Sequence, residues 1–333
     1  HKDFTALSDI QLADEIARRM ELHGRWVAIY WSDFIPFAHG MRLFGQFYND
    51  TVKPEDPFEF MVLLESGKLK SLERNQKLEE MATMVRKDPS LATSLKEFET
   101  IEDKAFKGKL DEFIQQFGDL SCSIGEQTQC LQGPEGIHRI LLKMATYSPV
   151  KKRWNSHRLD DLTSRFLSRF KGKEETFASE LLDLGRASYR LRDDDNIYLG
   201  RIEREVVVAV EEGRRRIEKR CQITVEGADP AEIIKALRNS DYIPKRQPST
   251  EPIKISSELK ARQIIGQPAG PGIAKGKARV ILSPSDVFAF ESGEILVCDA
   301  IEPNMTFVVP LSSGIVERRG GMLIHGAIIA REY

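Results

Sequence analysis

The apolar pattern of this 333-residue chain changes once, and that change constrains the fold more than any single residue does. Through residues 8–221 the apolar side chains recur at helical spacing. From 263 to 333 they come as short runs closed off by glycine or proline, as in Gly276-Lys277-Ala278-Arg279-Val280-Ile281-Leu282, Gly293-Glu294-Ile295-Leu296-Val297-Cys298 and Gly314-Ile315-Val316-Glu317. The first pattern buries one stripe of a helix and the second the strands of a small sheet. The expected fold class is therefore multidomain: a mainly α-helical domain over 1–221, a short helix and Pro-rich linker over 222–262, and a small α/β domain over 263–333.

Local signals refine the helical part. Ser8 and Gln11 form a capping box ahead of the Leu12, Ile16, Met20 stripe. A helical stretch from Trp26 to Tyr48 is interrupted by Pro36, which ends or kinks it. Lys68 to Arg86 carries Leu78, Met81 and Val85 on one face, and Asp88-Pro89-Ser90 breaks it. Helices are expected over Ser94–Phe106 and Lys109–Phe117, the latter stopped by Gly118, then a loop over Cys122–Gly136 and helices over Ile137–Ala145 and Leu159–Phe170. Two long helices, Lys173–Arg190 and Asp193–Arg220, are expected to meet at Arg192-Asp193-Asp194-Asp195, where aspartates suit a helix N-terminus. Asp229-Pro230 opens a short helix through Leu237, and prolines at 244, 248 and 252 make the 243–252 stretch an extended spacer.

The chemistry concentrates at the end of the chain. His325 follows Gly320-Gly321 and precedes Gly326-Ala327-Ile328-Ile329-Ala330-Arg331. Glycines permit a tight bend and close approach of another molecule. A histidine where a helix begins lies beside free backbone N–H groups, which bind phosphate, and the positive end of the helix favours a neutral, nucleophilic ring. An ordinary half-buried histidine after a Gly-rich turn fits these local residues equally well. Arg186, Arg190 and Arg192 could grip a phosphate or carboxylate with forked donors, or form an ion network at a helix junction. His23 and His39, among Trp26, Trp31, Phe34 and Phe37, either help bind an aromatic acceptor or simply pack. His138 and His157 lack metal-ligand spacing, and no metal site is expected.

From Gly266 onward, Gly270-Pro271-Gly272, Gly276-Lys277-Ala278-Arg279-Val280, Gly293-Glu294-Ile295-Leu296-Val297, Pro303, Gly314-Ile315-Val316, Gly320-Gly321 and His325 to Glu332 follow in order. The set resembles the phosphohistidine, or swivelling, domain of phosphoenolpyruvate-utilising enzymes, which include phosphoenolpyruvate synthase, pyruvate phosphate dikinase and rifampicin phosphotransferase. Phe113 to Gly118 and Leu191-Arg192-Asp193-Asp194 resemble, less specifically, the helical region of rifampicin phosphotransferase-like proteins. The resemblance implies a phosphotransferase in which His325 attacks through the ring nitrogen distal to the backbone, with Gly320, Gly321, Gly326 and Arg331 around the phosphate. It implies ATP and Mg²⁺, or phosphoenolpyruvate, as donor. These would be bound by an ATP-grasp domain on a missing segment or a separate chain, since this chain shows no Walker-type loop and no glycine-rich hairpin of its own. The implied acceptor is pyruvate or a small hydroxylated compound bound by the helical domain. A non-enzymatic phosphocarrier and a degenerate structural relative are the alternatives. Two departures bear on this. Ile324 stands where relatives carry Ser, Thr or Cys, and cannot donate a hydrogen bond. The small domain also stops at Tyr333, so it is expected to be cut short at its C-terminal end, in a chain that begins without methionine and reads as a fragment or subunit.

Composition excludes some classes. A net charge of −2, with 30% charged residues, gives no bulk attraction to nucleic acid. No apolar run reaches the length that spans a bilayer, and the start lacks the apolar core of a leader. Four scattered cysteines fit reduced thiols and a cytoplasmic setting.

Overall fold

A computed structural model describes residues 4–65, 68–98, 100–117, 134–147, 156–225, 228–245, 265–270, 272–321 and 324–333. Its helices are α1 (Asp9–Ile29), α2 (Ile35–Ala38), α3 (Gly40–Val52), α4 (Met61–Leu64), α5 (Lys70–Lys87), α6 (Pro89–Glu97), α7 (Lys104–Phe117), α8 (Pro134–Ala145), α9 (Ser156–Leu167), α10 (Lys173–Cys221), α11 (Pro230–Arg238) and α12 (His325–Glu332). Three short strands, β1 (Ala278–Ile281), β2 (Ile295–Cys298) and β3 (Gly314–Glu317), form one parallel sheet in that order. Its register sets Val280 opposite Val297 and Val297 opposite Val316. Most of the chain is helical and the small sheet lies near its C-terminal end, as the change of pattern predicts.

Local sequence accounts for most boundaries. The Ser8–Gln11 box is formed, with Ser8 N–H donating to Gln11 Oε1 at 2.9 Å and Gln11 N–H to Ser8 Oγ at 3.2 Å. Pro36 lacks an N–H and crowds the preceding turn, and the backbone widens to a π-helical turn over Tyr30–Phe34 before α2 resumes. Asp88 accepts from Ser90 and Leu91 N–H, so the break after α5 is also the cap of α6. Asp229 caps α11 through Ala231 N–H in the same way.

Three expectations are corrected. The helix expected over Ser94–Phe106 ends at Glu97, where Phe98 takes a left-handed conformation (φ 55°). The helix expected from Lys109 starts at Lys104, because Asp103 accepts from Ala105 and Phe106 N–H and caps it there. The two long helices are one, the 49-residue α10. The aspartates at its middle do cap a helix, but a different one: Asp193 and Asp194 receive the N–H groups of Ser71 and Lys70 at the start of α5. The loop expected over 122–136 falls mostly outside the described residues, as does the 243–252 spacer from residue 246 on.

The chain forms two compact units. One contains α1, α11 and α10 from Leu199 onward. Its core is aliphatic, with Leu12, Ile16, Val206, Val210, Ile217, Ile233 and Leu237. Its buried charges are locally paired, Arg19 with Glu15 and Arg214 with Glu211. The other unit contains 30–120, 132–198 and 267–333, on both sides of the Pro-rich stretch. Here the inner face of the sheet (Ile281, Leu296, Cys298) and the apolar turn of Met305, Phe307 and Val308 share a core with Leu78 and Met81 of α5, Phe106 and Phe113 of α7 and Ile140 of α8. A second core joins Phe44 of α3, Leu64 of α4, Phe166 of α9, Tyr189 of α10 and Ile328 of α12.

Candidate functional site

The site lies in the larger unit, where α12 begins. Ile324, in an extended conformation (φ −83°, ψ 159°), precedes the helix, and no side chain caps it. The first intrahelical bond runs from Ile328 N–H to Ile324 O, so the N–H groups of His325, Gly326 and Ala327 come before it. Three donors at the positive end of a helix make a seat for an anion. Gly321, at φ 156°, makes the approach to this start. Gly326 permits a close approach: a Cβ there would stand 2.6 Å from Glu317 Oε1. The Glu317 carboxyl also accepts Ile301 N–H at 2.7 Å. Burial raises its pKa, and the Ile301 bond and the field of His325 only partly offset that.

His325 is 8% exposed. Its Nδ1 is 3.2 Å from Asp193 Oδ1, yet neither ring nitrogen makes a hydrogen bond among the described residues. Asp193 is fully buried and accepts both the backbone N–H and the hydroxyl of Ser71. Beside it Arg74, also buried, donates to Thr306 Oγ1 at 2.7 Å, and Asn75 Nδ2 donates to Thr306 O at 2.9 Å and to Tyr333 Oη at 3.2 Å. Burial lowers the Arg74 guanidinium to about 10 and pushes the Tyr333 phenol up to about 12. Buried polar atoms in folded proteins nearly always have partners. Within this network the ring nitrogens of His325 make no hydrogen bond among the described residues.

Next to this start opens a cavity of about 600 Å³. Helices α2 and α3, the Pro57–Met61 segment, Arg192, Gln267, Gly321 and Ile324 line it. Asn49 on its wall donates its amide to Pro57 O, which fixes the amide's orientation and leaves Oδ1 without a partner among the described residues.

The structure places the sequence candidates unevenly. Gly321 and Arg192 line the cavity together, and Arg192 also donates to Tyr30 Oη and Asp195. His39 lines it too, whereas His23 lies in the other compact unit. Arg186 is engaged elsewhere, with Leu63 O and Thr163 Oγ1. Arg190 and Gly320 are exposed. Arg331 is half-buried on α12, its pKa lowered by burial within the field of Tyr189 and Glu65. Met322 and Leu323 are outside the described residues. Sequence reasoning missed Ser71, Arg74, Asn75 and Thr306, and took Asp193 as a cap only. Nothing in the local sequence joins residue 71 or 74 to residue 193 or 306.

Comparison with known proteins finds matches for the C-terminal part of the chain. Residues 290–333 match the family described as PEP-utilising enzyme, mobile domain. Over 75 residues the chain is 43% identical to rifampicin phosphotransferase of Bacillus subtilis (strain 168), covering 22% of this chain and 8% of that protein. It is 38% identical over 80 residues to a probable phosphoenolpyruvate synthase of Archaeoglobus fulgidus (24% of this chain, 11% of that protein). It is 40% identical over 82 residues to phosphoenolpyruvate synthase of Aquifex aeolicus (24% and 10%). The match thus spans only 8–11% of the length of these three relatives. Among the described residues no helix is long and apolar enough to cross a membrane. The C-terminal region of the chain is thus similar to the mobile domain of phosphoenolpyruvate-utilising enzymes.

Proposed function

We propose that this chain takes part in phosphoryl transfer, with His325 as the covalent carrier between a nucleotide-binding donor domain and an acceptor held in the cavity beside α12. The observation that carries the reading is the pairing of an uncapped helix start with a buried imidazole whose ring nitrogens are unmatched. A neutral His325 with its Nδ1 proton toward Asp193 keeps its lone pair on Nε2. That nitrogen attacks the terminal phosphorus of the donor, and the P–O bond to the leaving phosphate breaks. A positive charge then appears on the ring, and Asp193 is placed to balance it. The N–H groups of His325, Gly326 and Ala327 are placed to hold the phosphoryl oxygens, as preorganised donors do at developing charge. In the second half, an acceptor hydroxyl oxygen takes the phosphoryl group and gives up its proton to water, and the electrons of the N–P bond return to Nε2. Splitting one transfer into two lowers each barrier. ATP with Mg²⁺ is the proposed donor, bound by an ATP-grasp domain outside this chain, in a cytoplasmic setting.

In the arrangement described both ring nitrogens are buried and His325 does not line the cavity, so loading and delivery alike require the ring to leave this seat. That departure is not free. It breaks the Thr306 and Tyr333 hydrogen bonds and uncovers the apolar surface shared with α5, α7 and α8. The 243–252 spacer would have to supply the necessary length.

The test offers labelled ATP, then labelled phosphoenolpyruvate, to the full chain with an active donor domain. Acid-labile label on the wild type and none on His325→Ala supports transfer. Equal label on both, or none on either while the donor domain is active, contradicts it.

A further inference from the structure

We infer that Glu317 decides whether the start of α12 can hold a phosphoryl group: its carboxyl is lodged against Gly326 and has to be neutral while His325 carries phosphorus. This rests on the reading of His325 as the carrier. Glu317 is the last residue of β3 and pairs in register with Cys298 of β2. A Cβ on Gly326 would stand 2.6 Å from its Oε1 and 2.7 Å from its Oε2, so the carboxyl fills the space where any other residue type would put its side chain. In the first turn of a helix that space leans toward the N-terminus, the side on which the free N–H groups lie. Yet the hydrogen bond that the carboxyl accepts among the described residues comes from Ile301 N–H, at 2.7 Å, and not from His325, Gly326 or Ala327. The carboxyl crowds the anion seat without using its donors. The ring beside the seat is nine-tenths buried with both nitrogens unmatched, and its field reaches Glu317.

Charge makes this crowding matter. His325 of α12 and Cys298 of β2 face the carboxyl, Asp299 and Glu302 lie around the same thiol, and Asp193 of α10 faces the ring. Arg318 and Arg319, the next two residues, are both bonded to Asp299. Among the described residues the His325 ring is the one charged group whose field favours the ionised carboxyl, and burial outweighs it. A phosphoryl group adds about two negative charges, and like charges in contact inside a half-buried site repel strongly. A protonated Glu317 removes that repulsion and becomes a donor for a phosphoryl oxygen. Loading then takes up a proton, by linkage. Glu317, Ile301 and Gly326 all lie within residues 263–333, so the carboxyl travels with the ring wherever it is loaded.

Phosphoramidate, whose P–N bond to ammonia breaks as the bond to Nε2 forms, serves as a probe that labels the full chain without a donor domain. Labelled ATP and labelled phosphoenolpyruvate, each with the active donor domain, are run in parallel. The quantity read at each pH is the labelling of His325 in Glu317→Gln divided by that in the wild type, which cancels the pH dependence of the donor. It should be about one at the most acidic pH where labelling persists, and rise at least about fivefold as pH climbs through the raised Glu317 value. Glu317→Met, a second neutral variant, should give the same rise, and Glu317→Asp, which keeps the charge, should follow the wild type. A ratio that is flat or falls with pH in folded variants overturns the inference, as does Glu317→Asp behaving like Glu317→Gln. If phosphoramidate gives the rise while ATP and phosphoenolpyruvate label neither protein, transfer from those donors fails and the role of Glu317 stands. If His325 is labelled and the ratio is flat, only the role of Glu317 fails. No label on His325 from any of the three overturns both.

Discussion

Two helix starts lie close to Asp193, and they are finished differently. At α5, Asp193 and Asp194 accept the N–H groups of Ser71 and Lys70, and Asp193 also takes the Ser71 hydroxyl. At α12, the residue before the helix is Ile324 and no side chain caps it, although Asp193 is only 3.2 Å from the first residue's ring. A capped start is satisfied and has no further use for an anion. An uncapped start beside an unmatched imidazole keeps its donors for one. The difference teaches that Asp193 holds Ser71 with both oxygens while the one that takes the Ser71 hydroxyl also faces the His325 ring, which couples the position of α5 to that of His325.

The largest break in this comparison comes from Asp193→Ala, which removes the acceptor of Ser71 N–H at the start of α5 and strands the Ser71 hydroxyl in a buried site. About 2–4 kcal/mol of stability should be lost, read by denaturant unfolding. Asp193→Asn keeps an acceptor for Ser71 and should cost less than half of that. Because it removes the charge facing His325, it should still slow labelling. A normal labelling rate in Asp193→Asn would reduce Asp193 to a cap.

Next in size is Thr306→Val, which removes the hydrogen bond that the buried Arg74 donates to the Thr306 hydroxyl. Its loss should weaken the seat by about 0.5–1.5 kcal/mol. If loading requires departure from the seat, the labelling rate rises at least severalfold while stability falls. A rate that falls along with stability would mean that the seated state is itself the one that is loaded.

The smallest effect concerns the carboxyl against Gly326. Burial raises the Glu317 pKa, so the folded chain retains this proton at pH values where the unfolded chain has lost it. Stability from this group is therefore greatest below the unfolded value near 4.5 and declines as pH rises through the raised folded value. Glu317→Gln should flatten that part of the pH–stability curve, and an unchanged slope would assign it to other groups.

What was legible in the sequence was local. The Ser8–Gln11 box, the Asp229-Pro230 start and the strands between glycines depend on residues a few positions apart, and each lies where the pattern predicts. The same locality misread α10. Three consecutive aspartates suggest a helix N-terminus, and only the fold shows that two of them cap a helix more than a hundred residues earlier. Phe98 ends α6 in a left-handed conformation usually left to glycine or asparagine, so no residue type announced that boundary. His325 could be singled out from its flanking glycines. Its surroundings could not, because Ser71, Asp193 and the cavity wall are gathered from distant segments by the two cores.

Phosphorus NMR of the loaded full chain tests the central claim most directly. A single phosphoramidate resonance is expected. It should vanish on acidification, be absent in His325→Ala, and have the coupling pattern of attachment at Nε2. Phosphorus found as an ester on a serine or threonine, or on Nδ1 facing Asp193, would contradict the role assigned to the uncapped start of α12.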